Sequence, residues 1–201
     1  MDDSAASHLV RIGEDAGREA LLVNGVVQSI SPADGLAGGG YWAAMVPSLP
    51  PKRALILGLG GGTLGRLLQA RWGEQVQIVG IDDDVAIVET ARAAGWLDDR
   101  SSIRVVYADA FDYVRDCQER FDFIAIDLFR GEQLVGRAFT RPFLRRLRSL
   151  LEAPAMLAVN MFFDLRAPVR IARIEGLFDV RERVTVGGNV IVHARARRPR
   201  R

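Results

Sequence analysis

An α/β fold built on a mostly parallel sheet is the fold class that this sequence of 201 residues predicts. Three observations support it. Strand-like and helix-like segments alternate from Arg53 onward, a glycine-rich loop follows the first apolar strand, and acidic residues follow the later strands. Each helix returns the chain to the same edge of the sheet, so successive strands run parallel. This order is typical of Rossmann-like sheets that bind a nucleoside at the carboxyl ends of their strands.

The composition restricts the classes of protein that fit. At this length, 49% apolar residues suffice for one domain with a sizeable core. The single cysteine, Cys117, excludes a disulfide framework, and His8 and His193 lie too far apart in the sequence to suggest a metal site. The N-terminus lacks the basic start and apolar stretch of a signal peptide, and no apolar run approaches the ~20 residues of a membrane span. We expect a cytoplasmic protein without a metal or a membrane partner.

Charge is spread unevenly along the chain. The formal net charge is +2, and five arginines fall within the last eight residues. A basic tail of this kind either binds an anionic partner such as nucleic acid or is a solvated terminus. Without residues 195–201 the remaining chain is slightly acidic, which argues against a nucleic-acid partner. We interpret these residues as a solvated basic tail.

Residues 1–49 are predicted to form a small N-terminal extension. Short strands are expected at His8–Ile12, Glu19–Val23 and Val26–Ile30. Asn24-Gly25 between the last two is a strong hairpin signal, because both residues tolerate the positive φ of a type I′ turn. A Gly/Ser/Pro-rich loop follows, and Tyr41–Val46 is expected to form a short helix before a proline-rich linker.

Residues 50–194 are predicted to form the Rossmann-like domain. Its first strand, Ala54–Leu57, is a continuous apolar run, as expected for a strand buried on both faces. The other predicted strands are Val76–Ile81, Ile103–Tyr107, Phe121–Ile126, Ala155–Asn160, Val180–Val186 and Asn189–Ala194. The predicted helices are Thr63–Trp72, Val85–Ala94, Arg137–Leu151 and Pro168–Glu175. Gly187-Gly188 marks a closing hairpin, which adds antiparallel strands to an otherwise parallel sheet.

The glycine-rich loop after the first strand is the sharpest functional signal. Gly58, Leu59, Gly60, Gly61 and Gly62 stand between a buried strand and a helix. Glycines there let the backbone turn tightly and approach a ligand, and the helix directs its N-terminus at the site. Glycine also serves ordinary tight turns, but this position favours a nucleoside-binding loop.

Acidic residues follow three further strands. Asp82 comes about twenty residues after the glycines and is placed to accept hydrogen bonds from both ribose hydroxyls. Asp109, with Ala110 behind it, is placed to accept a hydrogen bond from an adenine amino group. Asp127 ends the fourth strand at the edge where open α/β sheets bind ligands. Each acid taken singly could be a turn or cap residue, and their joint occurrence at one edge is the more specific observation.

These features together resemble class I S-adenosylmethionine-dependent methyltransferases, and within them the spermidine synthase group of aminopropyltransferases. Four further stretches resemble that group over residues 18–160: Asn24-Gly-Val-Val-Gln28, Tyr41 before Met45, Gly61-Gly-Thr-Leu64 and Phe139-Thr-Arg-Pro-Phe143. The resemblance implies a seven-stranded methyltransferase sheet, S-adenosylmethionine or its decarboxylated form as cofactor, and a homodimer formed through the N-terminal strands. It also implies Asp127 as the catalytic residue.

The chain departs from the resembled group where its substrate chemistry resides. Gly60 and Gly61 occupy the stretch of an aspartate that would hold the donor's amine, and Gly80 replaces a ribose-binding glutamate. Arg130 replaces the second acid of an Asp-x-x-Asp pair, and Trp42 stands where a glutamine is expected. Polyamines need carboxylates for their ammonium groups, and an arginine reverses that charge.

These departures lead to three functional hypotheses. The first is methyl transfer to an unidentified small-molecule acceptor. The second is aminopropyl transfer to a polyamine, and the third is a nucleoside-binding module without catalysis. Gln28, Tyr41, Trp42 and Phe129 are the expected substrate residues. Phe162 and Phe163 are candidates for the acceptor pocket as well, although core or interface positions suit them better.

Overall fold

The computed structural model describes residues 9–31, 38–98 and 102–197. Its N-terminal part is an antiparallel sheet of three strands, β1 (Val10–Asp15), β2 (Arg18–Val23) and β3 (Val26–Ile30). Between β2 and β3, Asn24 and Gly25 have φ angles of 51° and 85°, which confirms the predicted hairpin. Position 8, most of the predicted loop before the first helix, and positions 198–201 of the predicted tail lie outside the described residues.

Alternating strands and helices make up the rest of the chain. The strands are β4 (Arg53–Leu57), β5 (Gln77–Asp82), β6 (Ile103–Tyr107), β7 (Phe121–Ile126), β8 (Phe129–Arg130), β9 (Gln133–Leu134), β10 (Leu151–Phe162), β11 (Phe178–Val186) and β12 (Asn189–Ala196). The helices are α1 (Gly40–Met45), α2 (Thr63–Trp72), α3 (Val85–Ala93), α4 (Ala110–Asp116), α5 (Arg141–Leu150) and α6 (Ala167–Glu175). A 3₁₀ helix at Gly136–Phe139 precedes α5.

Seven strands form the central sheet in the order β11-β12-β10-β7-β4-β5-β6. Strands β6, β5, β4, β7 and β10 run parallel, whereas β12 is antiparallel to both of its neighbours. The predicted Rossmann-like, mostly parallel seven-stranded sheet is therefore confirmed. Since parallel strands end at the same edge, the segments after β4, β5, β6 and β7 are brought together there.

The core continues on both faces of the sheet. Leu55 and Leu57 of β4 pack with α4 and α5 on one face, whereas Ile56 packs on the other with α2 and α3. All three side chains are fully buried, and each such burial contributes about 1.5–3 kcal/mol. The N-terminal sheet joins the second face through Leu21 and Ile30, which are also buried. Packing therefore holds this small sheet against the glycine-loop side of the main sheet.

Several boundaries differ from the predictions. The predicted helix Arg137–Leu151 is divided at Thr140, because Pro142 starts a helix readily but cannot donate a hydrogen bond within one. Helix α4 was not predicted, since its seven residues carry too short a period to distinguish it from a loop. Strand β12 extends to Ala196, so the predicted tail begins two residues later than expected.

Candidate active site

The glycine loop is held against the two neighbouring strands by its backbone. Gly58 and Leu59 both donate to the carbonyl oxygen of Ile81 at the end of β5, each over 3.0 Å. Gly58 has a φ of 84°, and a Cβ there would collide with the carbonyl oxygen of Asp127. Glycine is required at this position because the loop passes so close to the segment after β7.

Asp82 organises the same loop with its carboxylate. One oxygen accepts the Gly60 N–H over 2.7 Å and the other accepts the Asp84 N–H over 3.0 Å. Burial raises the pKa of this carboxyl above its usual value, against the two backbone hydrogen bonds that lower it. Asp82 borders the cavity described below, and its contact with a ribose stays a prediction.

The second half of the glycine loop faces protein. Gly61 donates to the Ser29 hydroxyl over 2.7 Å, and a Cβ at Gly62 would collide with Leu97. Neither glycine lines the cavity. The Thr63 hydroxyl accepts the Ile30 N–H over 2.9 Å and donates to the Ile30 carbonyl over 2.8 Å. This part of the loop therefore anchors the N-terminal hairpin, a role that the glycine pattern does not reveal.

Asp109 and Ala110 lie after β6 at the start of α4. One oxygen of the Asp109 carboxylate accepts the backbone N–H groups of Phe111 and Asp112 over 2.8 and 3.1 Å, so Asp109 is the N-cap of this helix. Ala110 is buried, and neither residue lines the cavity. The structure thus gives Asp109 a capping role, and its predicted contact with an adenine remains untested.

Asp127 follows β7 and is surrounded by neutral hydrogen-bond donors. Asn160 Nδ2 donates to Oδ1 over 2.8 Å, and the Tyr41 hydroxyl donates to Oδ2 over 3.4 Å. The Trp42 side chain lies beside the same carboxylate and lines the same cavity. Burial raises the pKa of Asp127 to about 6, although the hydrogen bonds from Asn160 and Tyr41 act to lower it. A carboxylate with this pKa is ionised at neutral pH and can accept a proton.

Tyr41 and Trp42 form the wall beside this carboxylate. Their rings are stacked with centroids 4.1 Å apart, and only 8% of Trp42 is exposed. Burial, together with the nearby charge of Asp127, raises the pKa of the Tyr41 phenol well above 10. The phenol therefore stays protonated and keeps donating to Asp127. Trp42 therefore packs against the tyrosine that donates to Asp127, a contact that its place in the sequence did not reveal.

One large cavity connects these groups at the carboxyl edge of the sheet. Its volume is about 930 Å³, within the range of about 300–1,000 Å³ that is usual for small-molecule sites. Nine of the residues predicted for the site line it: Gln28, Tyr41, Trp42, Gly58, Leu59, Gly60, Asp82, Asp127 and Phe129. Residues that were not predicted for the site line it too, among them Asn160, Asn189 and Glu132.

Asn160 is the most informative of the residues that were not predicted. It interrupts the apolar second half of β10 two residues before the strand ends, only 1% of it is exposed, and its Oδ1 has no hydrogen-bond partner in the part of the chain that the structure describes. A polar residue within an apolar strand, close to the carboxyl end of that strand, was the available signal. Of the two phenylalanines that follow, Phe162 lines the cavity, whereas Phe163 is 69% exposed.

The departures from the resembled group are built into the packing. A Cβ on Gly80 would lie 2.6 Å from the side chain of Leu59, and a Cβ on Gly60 would lie 2.8 Å from the Ser29 hydroxyl. Leu59 is 4% exposed and occupies the space next to Gly80. The two acids of the resembled group therefore could not be restored here without moving these neighbours.

The remaining departure lies at the mouth of the cavity. Arg130 forms an exposed ion pair with Asp83 over 3.2 Å, which joins the short β8–β9 hairpin to the segment after β5. Within the described ranges, no group of His, Cys, Asp and Glu side chains is arranged to hold a metal ion. No described helix is long and apolar enough to cross a membrane.

The order of the strands, the glycine loop and the position of the cavity together define a Rossmann-like protein. Its fold is that of class I S-adenosylmethionine-dependent methyltransferases. Residues 8–160 match the family model described as the spermine/spermidine synthase domain. The chain belongs to this family.

Curated relatives agree with this assignment. Polyamine aminopropyltransferase from Vibrio vulnificus is 33% identical over 116 residues, which cover 56% of this chain and 38% of the relative. Polyamine aminopropyltransferase from Chromobacterium violaceum is 29% identical over 133 residues, which cover 65% of this chain and 51% of that protein. The matched region thus spans about half or less of each relative.

Solved structures show the same fold. A probable spermidine synthase from Corynebacterium glutamicum aligns with a TM-score of 0.74 at 16% identity, covering 94% of this chain and 77% of that one. A spermidine synthase in complex with the transition-state analogue AdoDATO aligns with a TM-score of 0.69 at 20% identity, covering 94% of this chain and 70% of that one. Human methyltransferase-like protein 13 in complex with SAH aligns with a TM-score of 0.66 at 19% identity, covering 74% of this chain and 73% of that one.

Proposed function

We propose that this protein transfers an aminopropyl group from decarboxylated S-adenosylmethionine to an amine. One observation carries the proposal: Asp127 is a cavity-lining carboxylate with a pKa of about 6, held by the two neutral donors Asn160 and Tyr41 and paired with no described cation. An amine must lose a proton when it attacks carbon, and a carboxylate so placed can take it. The family and the curated relatives support the same choice.

The residues that are present fit an adenosyl donor. Gly58, Leu59 and Gly60 line one side of the cavity with backbone that carries no large polar side chain, and Asp82 borders the same region. The start of α3 closes this side through Val85 and Ile87. An apolar wall suits a base and a carboxylate suits ribose hydroxyls, so this is where the nucleoside would be held.

The bound donor would supply a sulfonium, which activates the adjacent carbon toward attack. Asp127 holds the acceptor's amine and takes one proton from it. The nitrogen lone pair forms the new C–N bond while the C–S bond breaks. The electron pair of the C–S bond stays on sulfur, and the donor leaves as the neutral thioether methylthioadenosine. Asp127 then returns the proton to solvent. Asn160 and Tyr41 keep the carboxylate oriented throughout.

Methyl transfer from S-adenosylmethionine is the second candidate, and one observation favours it. The packing of Leu59 against Gly80 and of Ser29 against Gly60 leaves no space for further carboxylates beside the glycine loop. A decarboxylated donor has a free ammonium in its tail, so its binding is weakened most by the absence of these carboxylates. S-adenosylmethionine carries its own carboxylate next to the amine and depends on them less.

Product analysis with both donors decides between the candidates. The protein is incubated with a mixture of primary amines and either donor, and the released nucleoside is identified by mass spectrometry. We expect methylthioadenosine from the decarboxylated donor, at a rate that Asp127→Asn reduces by ~10²–10⁴. Release of S-adenosylhomocysteine from the other donor would instead establish methyl transfer. Tight binding of methylthioadenosine without turnover of either donor would overturn both and leave a non-catalytic nucleoside-binding module.

A further inference from the structure

We propose that the acceptor is a monoamine with an aromatic or apolar body, and not a diamine or polyamine. This inference rests on the proposed function, because it concerns the acceptor half of the same cavity. It departs from the substrates that the relatives' names suggest. Three observations carry it: an aromatic wall beside Asp127, the engagement of most of the cavity's acids by other groups, and the position of Arg130.

Aromatic side chains surround the acceptor side of the cavity. Tyr41 and Trp42 stack beside Asp127, and Phe129 meets Phe162 edge to face with ring centroids 5.1 Å apart. Strand side chains two residues apart point the same way, so Phe162 lies on the same side of β10 as Asn160, the partner of Asp127. This side of the cavity therefore offers apolar rings and a single proton acceptor.

Most of the acids that line the cavity already have partners. Asp82 accepts two backbone N–H groups, and Asp83 pairs with Arg130. Asp84 caps α3 by accepting the Ile87 N–H over 3.2 Å. Apart from Asp127, this leaves Glu132, which is exposed at the turn of the β8–β9 hairpin. The second ammonium of a diamine would find no carboxylate within the aromatic wall.

The charge at the cavity mouth disfavours a second ammonium as well. Arg130 is the one cation among the described residues that line the cavity. A diamine anchored at Asp127 and extending toward the β8–β9 hairpin would bring its far ammonium toward this guanidinium, and like charges repel. An aryl group would instead meet Phe129 and Phe162, and aromatic pairs contribute beyond their buried area. Arg130 thus disfavours a diamine, whereas the aromatic wall retains an aryl amine.

The test compares two acceptors that share a primary amine, phenethylamine and putrescine. With the decarboxylated donor we expect kcat/KM for phenethylamine to exceed that for putrescine by about tenfold or more, the size of one lost charge partner. Arg130→Asp should raise kcat/KM for putrescine by about tenfold and change that for phenethylamine by less than about threefold. Arg173→Asp, an exposed change on α6 away from the cavity, is the matched control. A higher kcat/KM for putrescine than for phenethylamine would overturn the inference. So would a fall in kcat/KM for putrescine in Glu132→Gln, because it would show that Glu132 binds the second ammonium.

Calorimetry separates this inference from the proposed function. The protein saturated with methylthioadenosine is titrated with each amine, so that no transfer is required. Tighter binding of phenethylamine would support the inference even if neither amine is alkylated, in which case only the proposed function fails. Tighter binding of putrescine, or binding of neither amine, would overturn the inference even where transfer to some other amine is observed.

Discussion

Asp122 and Asp127 stand at opposite ends of β7 and have opposite surroundings. The Asp122 carboxylate accepts the backbone N–H groups of Lys52 and Arg53, each over 2.9 Å, at the start of the neighbouring strand β4. Asp127 faces the cavity and accepts from Asn160 and Tyr41. Five strand steps separate the two residues by ~16 Å. They form a natural pair for distinguishing a structural carboxylate from a catalytic one.

Replacing each acid of this pair should separate their roles. We expect Asp127→Asn to lower kcat by ~10²–10⁴, because a positioned proton acceptor is lost, while the affinity for methylthioadenosine changes by less than about threefold. Asp122→Asn should leave kcat unchanged and cost about 1–3 kcal/mol of stability, since its amide group would face a backbone donor. Steady-state kinetics and urea unfolding measure the two effects. Equal, mild losses of activity would show that Asp127 is only structural.

The raised pKa of Asp127 predicts a stability change with a defined pH dependence. Its carboxyl ionises near 3.8 in the unfolded chain and near 6 in the folded one, so the folded state binds the proton more tightly. The contribution of this group to stability is therefore lost as pH rises through that window. Asp127→Asn avoids the buried charge and should be about 1–3 kcal/mol more stable than the wild type at pH 8.

Below about pH 4 the Asp127 carboxyl of the wild type is protonated and therefore neutral, like the amide of the variant. The difference in stability between the variant and the wild type should then disappear. Urea unfolding at several pH values measures it. A difference that does not depend on pH would contradict the assigned pKa. The same group should also impose a lower limb with an apparent pKa of about 6 on the pH profile of kcat/KM.

Asp82→Ala should weaken binding of the nucleoside by at least tenfold. The substitution removes the predicted ribose contact, and it frees the Gly60 N–H that shapes the loop. Charge-assisted hydrogen bonds of this kind contribute ~1.5–3 kcal/mol. Calorimetric titration with methylthioadenosine is the measurement, and Asp112→Ala, an exposed acid paired with Arg115 on α4, is the control. Unchanged affinity in the Asp82 variant would remove this residue from the binding site.

Thr63→Val should destabilise the protein by about 1–3 kcal/mol, because it leaves the buried N–H and carbonyl of Ile30 without their partner. Thr63 joins the N-terminal hairpin to the helix after the glycine loop. The exposed Thr185→Val on β11 serves as the control and should change stability by less than about 0.5 kcal/mol. Similar small losses in both variants would show that the hairpin is held by apolar packing alone.

Self-association is expected through the three-stranded N-terminal sheet. A sheet this small leaves unpaired edges, and β1 and β3 are its outer strands. Light scattering at ~10–50 μM should give twice the 22.1 kDa mass of the chain, at concentrations where dimers of standard interface size form. A monomeric mass at these concentrations would contradict the expectation.

Most of the fold follows from local patterns in the sequence. Predominantly apolar segments of four to six residues defined β4, β6 and β7 nearly to the residue, and Asn24-Gly25 defined the hairpin. The helix before β10 was less well predicted, because a proline at its first turn is compatible with either a new helix or a break. Boundaries of this kind depend on which hydrogen bonds the surrounding chain provides.

The sequence by itself determined the sheet, its carboxyl edge and the separation of Asp122 from Asp127, since strand polarity follows from the order of elements along the chain. Only the tertiary structure decided which neighbours each acid has. Asp127 meets Tyr41 and Asn160, which lie 86 and 33 positions away, while Asp109 turns to cap its own helix. Backbone periodicity is a local property, whereas the direction of a loop side chain depends on segments that are distant in sequence and become neighbours only when the core packs.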